Sequence, residues 1–335
     1  MMETPQLNIK TQPFTDQKPG TSGLRKKTKI FQQAHYVENF TQAIFNALIA
    51  SGESLQGKAI VIGGDGRFYN QQAIQKIIRV AAGNGFGKIF VAQNGILSTP
   101  AASCVIRTQG CLGGIILSAS HNPGGPEGDF GMKFNIATGS PAPEKLTQKI
   151  FEESLKLKEY SAVEIPEVNL AKAGIIRAEN TTIAVFDGLN DYVGLMQQLF
   201  DFESMRSLFK SGFKMKFDAM HAVTGPYAKK IFVDLLGASP DSVMNALPLE
   251  DFGGGHPDPN LVYAEELVKI QFSKQAADFG AASDGDGDRN MILGKNFFIS
   301  PGDSLAIIAE HLANCAPGYK RIERRGAIHA DQRCG

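Results

Sequence analysis

The chain lacks several features that would assign it to a specialised class of protein. It has no tryptophan, and its 34 Lys plus Arg residues equal its 34 Asp plus Glu residues. A net charge of zero provides no basic field for nucleic acid or for a membrane surface. No apolar run approaches the ~18 residues of a membrane helix, and residues 1–18 contain no apolar stretch typical of a signal peptide. We therefore expect a cytoplasmic protein with no nucleic-acid or membrane partner.

Cysteine is also scarce, with four residues in the whole chain. Cys104, Cys111, Cys315 and Cys334 are widely spaced and form no Cys-x-x-Cys pair, which argues against zinc or redox chemistry. Free cysteine packs as a small apolar residue, so we expect buried thiols.

The 335 residues suggest two or more domains. Apolar runs that alternate with helical patterns predict βαβ crossovers and a largely parallel or mixed sheet. In the first half we predict helices at 37–50, 71–82 and 100–109 and strands at 58–63, 88–92 and 113–117. The pattern begins again with helices at 188–200 and 226–236, a strand at 214–217 and a short apolar segment at 279–282.

Residues 118–135 follow an apolar strand and read Ser-Ala-Ser-His-Asn-Pro-Gly-Gly-Pro-Glu-Gly-Asp-Phe-Gly-Met-Lys-Phe-Asn. We expect one mobile, glycine-rich loop that carries Ser120, His121 and Lys133 at the end of a strand, where α/β folds place their chemistry. Serine in such a turn can also serve only to bond the backbone, and Lys133 can be a solvated side chain. A lone histidine is similarly ambiguous, but His121 stands beside the candidate nucleophile.

A second segment, Asp-Gly-Asp-Gly-Asp-Arg at 284–289, alternates carboxylates with glycine. It does not fit a twelve-residue calcium loop, because Arg289 stands at the sixth position and Lys295 at the twelfth, where that loop requires Gly and Glu. A solvated acidic turn is the remaining alternative. Three carboxylates with a phosphoserine oxygen suit Mg²⁺, so we predict Asp284, Asp286, Asp288 and Ser120 as ligands and phosphoryl transfer as the chemistry.

Together these two segments resemble the phosphoserine loop and the metal loop of the α-D-phosphohexomutases. The longer form of the first loop, at 124–131, and Lys-Pro-Gly-Thr-Ser-Gly-Leu-Arg at 18–25 are similar to the phosphoglucomutase branch. The resemblance extends from about Pro13 to Tyr319. Ser118 departs from the threonine usual in that branch but keeps the hydroxyl. The resemblance implies an α/β fold of two consecutive three-layer domains with mixed sheets, a truncated form of the family's four-domain architecture.

The resemblance also implies roles for individual residues. Ser120 would carry the phosphoryl group, Lys133 would match the family's proposed general base, and His121 would be a further acid–base or phosphate-positioning group. The segments 64–67 and 218–221 resemble family positions that we interpret as architectural. The implied substrate contacts are Thr21, Ser22, Arg25 and Arg289.

The implied activity is that of an isomerase, an intramolecular phosphotransferase of glucose metabolism. It would interconvert glucose 1-phosphate and glucose 6-phosphate, with Mg²⁺ as cofactor and glucose 1,6-bisphosphate as intermediate and activator. The expected partner is a hexose phosphate, and the full-length form is expected to be a monomer. Two alternatives stay open: an inactive Mg²⁺-binding fragment, and a mutase for mannose or glucosamine phosphates.

We expect the first domain at 1–190, the second at 191–304, the start of a third at 305–319 and an aberrant tail at 320–335. The family's third domain reads the sugar and its fourth holds the non-reacting phosphate, and we expect neither here. Codons can be chosen for residues 324–334 that, when read one base later, encode a sequence close to the family's continuation. We therefore expect a frameshift near 321–324, which nucleotide sequence without such codons would contradict.

Overall fold

A computed structural model describes residues 6–20, 22–178 and 180–316. The strands are β1 Gln6–Lys10, β2 Leu24–Lys27, β3 Ala59–Gly64, β4 Lys88–Ile96, β5 Gly113–Leu117, β6 Asp129–Ile136, β7 Glu159–Val163, β8 Gly174–Ala178, β9 Thr181–Phe186, β10 Met215–Asp218, β11 Val243–Met244, β12 Phe279–Ser283, β13 Asn290–Gly294 and β14 Phe297–Ile299. The α-helices are α1 Thr28–Phe31, α2 Tyr36–Ile49, α3 Asn70–Gly83, α4 Thr99–Thr108, α5 Glu144–Ser154, α6 Asn190–Leu199, α7 Phe202–Lys210, α8 Thr224–Ala228, α9 Glu265–Gln271 and α10 Pro301–Cys315.

The first domain is built on a sheet with the strand order β2-β6-β5-β3-β4-β9-β8. Its four central strands, β5, β3, β4 and β9, are mutually parallel, while β6 and β8 pair antiparallel with β5 and β9. Side chains of β3 alternate between two cores: Ile60 and Ile62 lie in the core that contains α2 and α3, and Val61 lies in the core that contains α4. Both faces are therefore covered by helices, which makes three layers.

The second domain has a smaller sheet with the order β11-β10-β12-β13-β14. Strands β11, β10 and β12 are parallel, whereas β13 and β14 continue as antiparallel hairpins. Leu267 of α9 packs with Ala282 and Leu293 on one face of this sheet. The predicted mixed sheets in two consecutive α/β domains are confirmed.

Most predicted elements are present with ends shifted by at most two residues, and the predicted strand at 113–117 coincides with β5. The strand predicted at 88–92 continues for four more residues, to Ile96. The predicted helix at 226–236 is instead α8 followed by a π-helical segment, Lys229–Leu235. The expectation of one mobile loop over 118–135 was wrong in its second half. Residues from Asp129 onward form strand β6, and Lys133 pairs with Ile116 of β5.

The two domains are joined by buried hydrogen bonds. Tyr227 of α8 accepts a bond from the Ser98 amide at 3.3 Å and donates one to the Gly188 carbonyl at 3.1 Å. Burial raises the pKa of the Tyr227 hydroxyl, which keeps it a neutral donor. This contact anchors the second domain beside the first turn of α4.

The domain limits stay a prediction. The proposed boundary between 304 and 305 falls inside helix α10, and the predicted tail at 320–335 lies outside the described residues. Within the described ranges, no helix is long and apolar enough to span a bilayer. Cys104 and Cys111 are buried free thiols, as predicted, whereas the side chain of Cys315 and all of Cys334 are outside the description.

Candidate active site

The first component of the site is Ser120, which lies in the loop between β5 and β6. Its side chain is buried, and its backbone has a positive φ of 53°, an uncommon conformation for a residue with a side chain. The Ser120 amide donates to Ser118 Oγ at 2.7 Å, a bond that needs the hydroxyl at position 118. Ser120 Oγ in turn donates to Asp284 Oδ2 at 2.8 Å. The predicted nucleophile and the predicted metal loop therefore meet, although they belong to different domains.

Lys133 reaches the same place from strand β6 and not from a mobile loop. Its side chain is largely buried and forms an ion pair with Asp286 Oδ2. The Lys133 Nζ atom also lies 3.3 Å from Thr99 Oγ1, at the first turn of α4. Held by Asp286 and close to Thr99, the Lys133 amino group is placed to donate hydrogen bonds and to stabilise negative charge at this point.

Asp284 organises the loop between β12 and β13. Its Oδ1 atom accepts backbone hydrogen bonds from residues 287, 288 and 289 at 3.0–3.1 Å. One ligand oxygen from each of Asp284, Asp286 and Asp288 lies within 4.8 Å of the others. The first two carboxylates are fully buried and the third is partly exposed, so the group opens toward solvent on one side only.

The burial of like charges changes the acidity of these groups. Burial, followed by the negative charges of Asp286 and Asp288, raises the pKa of Asp284 to about 7. Burial also acts to raise the pKa of Asp286, but the charge and hydrogen bond of Lys133 outweigh it and hold that pKa well below its ordinary value. Lys133 pairs with Asp286, and Arg289 lies 3.9 Å from Asp288, but no cationic side chain among the described residues pairs with Asp284. A divalent cation bound by the three carboxylates would supply positive charge there.

The donor set fits a metal ion in detail. Asp286 Oδ2 is occupied by Lys133 and by Thr99 Oγ1, which donates to it at 2.6 Å. The other oxygen, Asp286 Oδ1, is buried and has no hydrogen-bond partner among the described residues. A buried carboxylate oxygen normally has a partner. Oxygen ligands of this kind suit a hard cation such as Mg²⁺, and Asp286 Oδ1 is the atom left free to bind it.

His121 and Arg289 form a pair at the exposed side of Ser120. Arg289 Nη1 donates to His121 Nδ1 at 2.7 Å, so the histidine must accept and carry its proton on Nε2. Burial and then the Arg289 cation lower the pKa of His121. His121 is thus a neutral imidazole near pH 7, with its Nε2–H available as a donor.

Arg25 lies on β2, next to β6, and supplies a cation from the opposite wall. Burial lowers its pKa, and its Nε atom is buried without a hydrogen-bond partner in the described part of the chain. The predicted contact Thr21 lies outside the described residues. One cavity is lined jointly by Ser22, Gly23, Arg25, Thr99, Ser120, Lys133, Asp288 and Arg289. The structure therefore brings together the described substrate-binding candidates, Ser22, Arg25 and Arg289.

Two features of the site were not predicted as functional. Thr99 contacts both Lys133 and Asp286 through its hydroxyl, and its amide donates to the Asp286 carbonyl at 2.8 Å. Ser-Thr-Pro at 98–100 is a helix-start pattern, and that pattern gives no sign of a contact with the other domain. The second feature is the buried pair of Asp65 and Arg67, which lies beneath the Ser120 loop. From the sequence we interpreted this segment only as architectural.

A serine at a strand end, a buried lysine and three convergent carboxylates lie together between two α/β domains, an arrangement suited to phosphoryl transfer. Family models agree: residues 16–161 match alpha/beta/alpha domain I, and residues 190–297 match alpha/beta/alpha domain II, of the phosphoglucomutase/phosphomannomutase family. The chain belongs to this family.

Its relatives include proteins named phosphoglucomutase. The one from Rhizobium radiobacter is 56% identical over 93% of this chain and 56% of its own length. Phosphoglucomutase 1, chloroplastic, from Marchantia polymorpha is 55% identical over 93% of this chain and 48% of its own. A Paramecium crystal structure, the open form of pp63/parafusin, superposes with a TM-score of 0.88 at 48% identity, over 92% of this chain and 58% of that one. The chain thus spans about half the length of the curated relatives it matches.

Proposed function

We propose that this chain performs the phosphoryl-transfer chemistry of a phosphoglucomutase, the interconversion of glucose 1-phosphate and glucose 6-phosphate. The observation that carries the proposal is the meeting of Ser120 Oγ with Asp284 across the two domains. A hydroxyl alone is a weak nucleophile, but a hydroxyl beside buried carboxylates, a lysine and two arginines is suited to accept and donate a phosphoryl group.

The reaction would proceed through two transfers. Phospho-Ser120 first meets glucose 1-phosphate; the sugar O6 attacks phosphorus, the P–Oγ bond breaks, and a proton passes from O6 to the site while Oγ gains one. The resulting glucose 1,6-bisphosphate reorients in the cleft. Ser120 Oγ would then attack phosphorus on O1 and give up its proton, while the P–O1 bond breaks and O1 gains a proton; this releases glucose 6-phosphate and restores phospho-Ser120. The same bisphosphate added from solution would phosphorylate free Ser120 and would therefore act as an activator.

The protein groups would act mainly by position and charge. Arg25 and Arg289 would hold phosphate oxygens from two walls of the cavity, and Lys133 would donate to the transferring group. His121 Nε2–H is a further donor at the exposed side. Mg²⁺, held by the three aspartates and an oxygen on Ser120, would supply charge neutralisation at the transferring phosphoryl group.

The direct test is phosphoryl uptake. The folded chain is incubated with Mg²⁺ and glucose 1,6-bisphosphate, and the gain of one phosphoryl group is followed by intact mass and peptide mapping. We expect labelling at Ser120 in the native chain, none in Ser120→Ala, and normal labelling in Ser154→Ala, a buried serine on α5 that serves as the matched control. Absence of labelling in the folded native chain would contradict the proposal.

One alternative is a Mg²⁺-binding fragment that takes up phosphoryl without turning over. Turnover needs more than a phosphoryl acceptor, because alignment of bound reactants can supply roughly 7–11 kcal/mol of barrier reduction. A coupled assay with glucose 1-phosphate distinguishes the two outcomes: labelling with turnover supports the full mutase, and labelling without turnover supports the fragment.

Three accompanying expectations need separate measurements. Mannose 1-phosphate and glucosamine 1-phosphate, assayed in parallel, test the choice of glucose. Sedimentation of the full-length form tests the expected monomer. Cell fractionation tests the cytoplasmic location, since the Marchantia relative is named as chloroplastic.

A further inference from the structure

A fully buried arginine lies beneath the Ser120 loop. Arg67 is 1% exposed, and its guanidinium donates to four different acceptors. Nε and Nη2 bind the Asp65 carboxylate at 2.8–3.0 Å, while Nη2 also donates to the Ser120 carbonyl at 2.8 Å. Nη1 donates to the Asp129 carbonyl at 2.7 Å and lies 3.4 Å from the Asn122 carbonyl. The guanidinium therefore connects both ends of the loop that carries Ser120.

Burial of this charged group costs free energy, and the geometry of its contacts is specific to arginine. A buried charge is strongly unfavourable unless it is paired, and here Asp65, itself fully buried, supplies the pairing. The planar fork of a guanidinium can bind a carboxylate on one edge and carbonyls on the other, whereas the ammonium of lysine cannot cover the same spread of directions. The Phe252 ring lies 5.2 Å from the guanidinium carbon and closes the remaining side.

The Ser120 carbonyl is held from two directions. Arg67 binds it from the first domain, and Gly285 of the second domain packs so closely that a Cβ there would lie 2.3 Å from the same oxygen. The Ser120 backbone has a positive φ, which by itself disfavours this conformation. An interaction that fixes the Ser120 carbonyl therefore also fixes the direction in which its Oγ points, toward Asp284.

We propose that Arg67 is a positioning residue for phosphoryl transfer: it holds the left-handed backbone of Ser120 so that Oγ stays against Asp284. The inference rests on the proposed function. Arg67 is absent from the lining of the cavity that holds the candidate substrate contacts, so it acts through the loop and not on the sugar phosphate. A misplacement of about 1 Å can cost on the order of 100-fold in rate.

The test uses Arg67→Lys, which keeps a cation beside Asp65 and so limits the cost to folding. With glucose 1,6-bisphosphate as donor, we expect the maximal rate of Ser120 phosphorylation to fall roughly 100-fold, while the donor concentration that gives half the maximal rate stays unchanged. A fall in the maximal rate with no change in the half-saturating donor concentration would not follow from a general loss of stability. An unchanged maximal rate in the folded variant would overturn the proposal.

The matched control is Arg79→Lys. Arg79 lies on α3 in the same domain and donates to a single carbonyl, that of Ile165. The Arg79→Lys variant should have the same maximal rate and the same half-saturating donor concentration as the native chain. If Arg67→Lys folds poorly, the double variant Asp65→Asn/Arg67→Met removes both buried charges together and should give the same loss of maximal rate.

A second measurement separates this inference from the proposed function. Amide hydrogen exchange in residues 118–128 needs no turnover, and we expect it to accelerate at least tenfold in Arg67→Lys but not in Arg79→Lys. Accelerated exchange in Arg67→Lys, found together with a native chain that never takes up phosphoryl, would contradict the proposed function while retaining the anchoring by Arg67. If residues 118–128 of Arg67→Lys exchanged at the same rate as in the native chain, the anchoring by Arg67 would be rejected.

Discussion

Ser120 Oγ lies 2.8 Å from Asp284 Oδ2, although 164 positions separate the two residues in sequence. The contact joins a loop that follows β5 in the first domain to a loop that follows β12 in the second. Each loop comes after the carboxyl end of a strand, where α/β sheets collect functional groups. The candidate centre thus depends on how the two domains pack as well as on either loop alone.

Metal binding should depend on the exposed member of the carboxylate group. Asp288→Asn removes one ligand charge at a partly exposed position, so the fold should tolerate it. We expect the affinity for Mn²⁺, measured by calorimetry, to fall by more than the roughly 10–100-fold that is typical when a group that only orients a ligand is lost. Asp278→Asn is the control, because Asp278 pairs with Lys295 away from the site. Equal affinities in the two variants would contradict the assignment of Asp288 as a ligand.

Asp284 should make the metal-free chain sensitive to pH. Its folded-state pKa of about 7 lies above the ordinary value of 3.8, so the folded state binds this proton more tightly than the unfolded chain. The metal-free fold therefore loses stability as pH rises from about 4 to about 7, and does not regain it above that range. Asn at position 284 can keep the backbone bonds but cannot ionise.

We accordingly expect Asp284→Asn to raise the melting temperature of the metal-free chain at pH 8 and to have little effect near pH 4. Saturating Mg²⁺ should reverse the order at pH 8, because it binds the native chain, with its three carboxylates, more tightly than the variant. Scanning calorimetry at both pH values, with and without Mg²⁺, makes the comparison. A native chain that is more stable than the variant at pH 8 without metal would disprove the raised pKa.

Thr99 should support the metal site from the first domain. Its hydroxyl donates to Asp286 Oδ2 and lies near Lys133, so Thr99→Val removes the hydroxyl while it keeps the branched shape. We expect roughly 10–100-fold weaker Mn²⁺ binding, the range typical for groups that orient metal ligands. Thr108→Val, at the far end of the same helix, should bind Mn²⁺ normally. Normal binding by both variants would show that Thr99 has no such role.

The sequence predicted those elements whose pattern is local. The run Gly113–Leu117 is apolar, short and bounded by glycine, and it is strand β5 as predicted. Strand β6 was missed because Gly131, Lys133 and Asn135 alternate with apolar residues in a segment that looked like a continuation of the glycine-rich loop. Its strand character comes from pairing with β5, which a local pattern cannot contain.

The same reasoning applies to the site. Ser120 and the aspartates stand in conspicuous motifs, and both were identified. Arg67 binds backbone carbonyls, and carbonyls are present at every position, so no sequence pattern marks them as acceptors. Thr99 contacts one residue of the other domain, Asp286, through its hydroxyl and its amide. Groups that act through tertiary contacts with the backbone or with one distant side chain become visible only in the structure.

Arg289 should control the protonation of His121. Burial and the Arg289 cation together lower the pKa of His121, so removal of the cation should allow the imidazole to protonate at higher pH. In Arg289→Gln we expect the NMR titration midpoint of His121 to move up toward 6.5. Arg206→Gln, which removes a partly buried arginine on α7 in the second domain, should leave the His121 midpoint unchanged. A midpoint that is the same in all three proteins would contradict the His121–Arg289 contact.

Gly285 offers a steric test of the junction between the loops. A Cβ on Gly285 would lie 2.3 Å from the Ser120 carbonyl oxygen, a distance at which the two loops must move apart. Gly285→Ala should therefore weaken Mn²⁺ binding and slow phosphoryl uptake by Ser120, even though the rest of each domain is untouched.

The matched substitution is Gly194→Ala on helix α6, where an added Cβ meets nothing within 4 Å. Alanine is favoured over glycine in a helix by about 1 kcal/mol, so this variant should melt slightly higher and bind Mn²⁺ as the native chain does. Calorimetry and Mn²⁺ titration of both variants provide the comparison. If Gly285→Ala bound the metal and accepted phosphoryl as well as Gly194→Ala, close packing of the two loops would not be a requirement of the site.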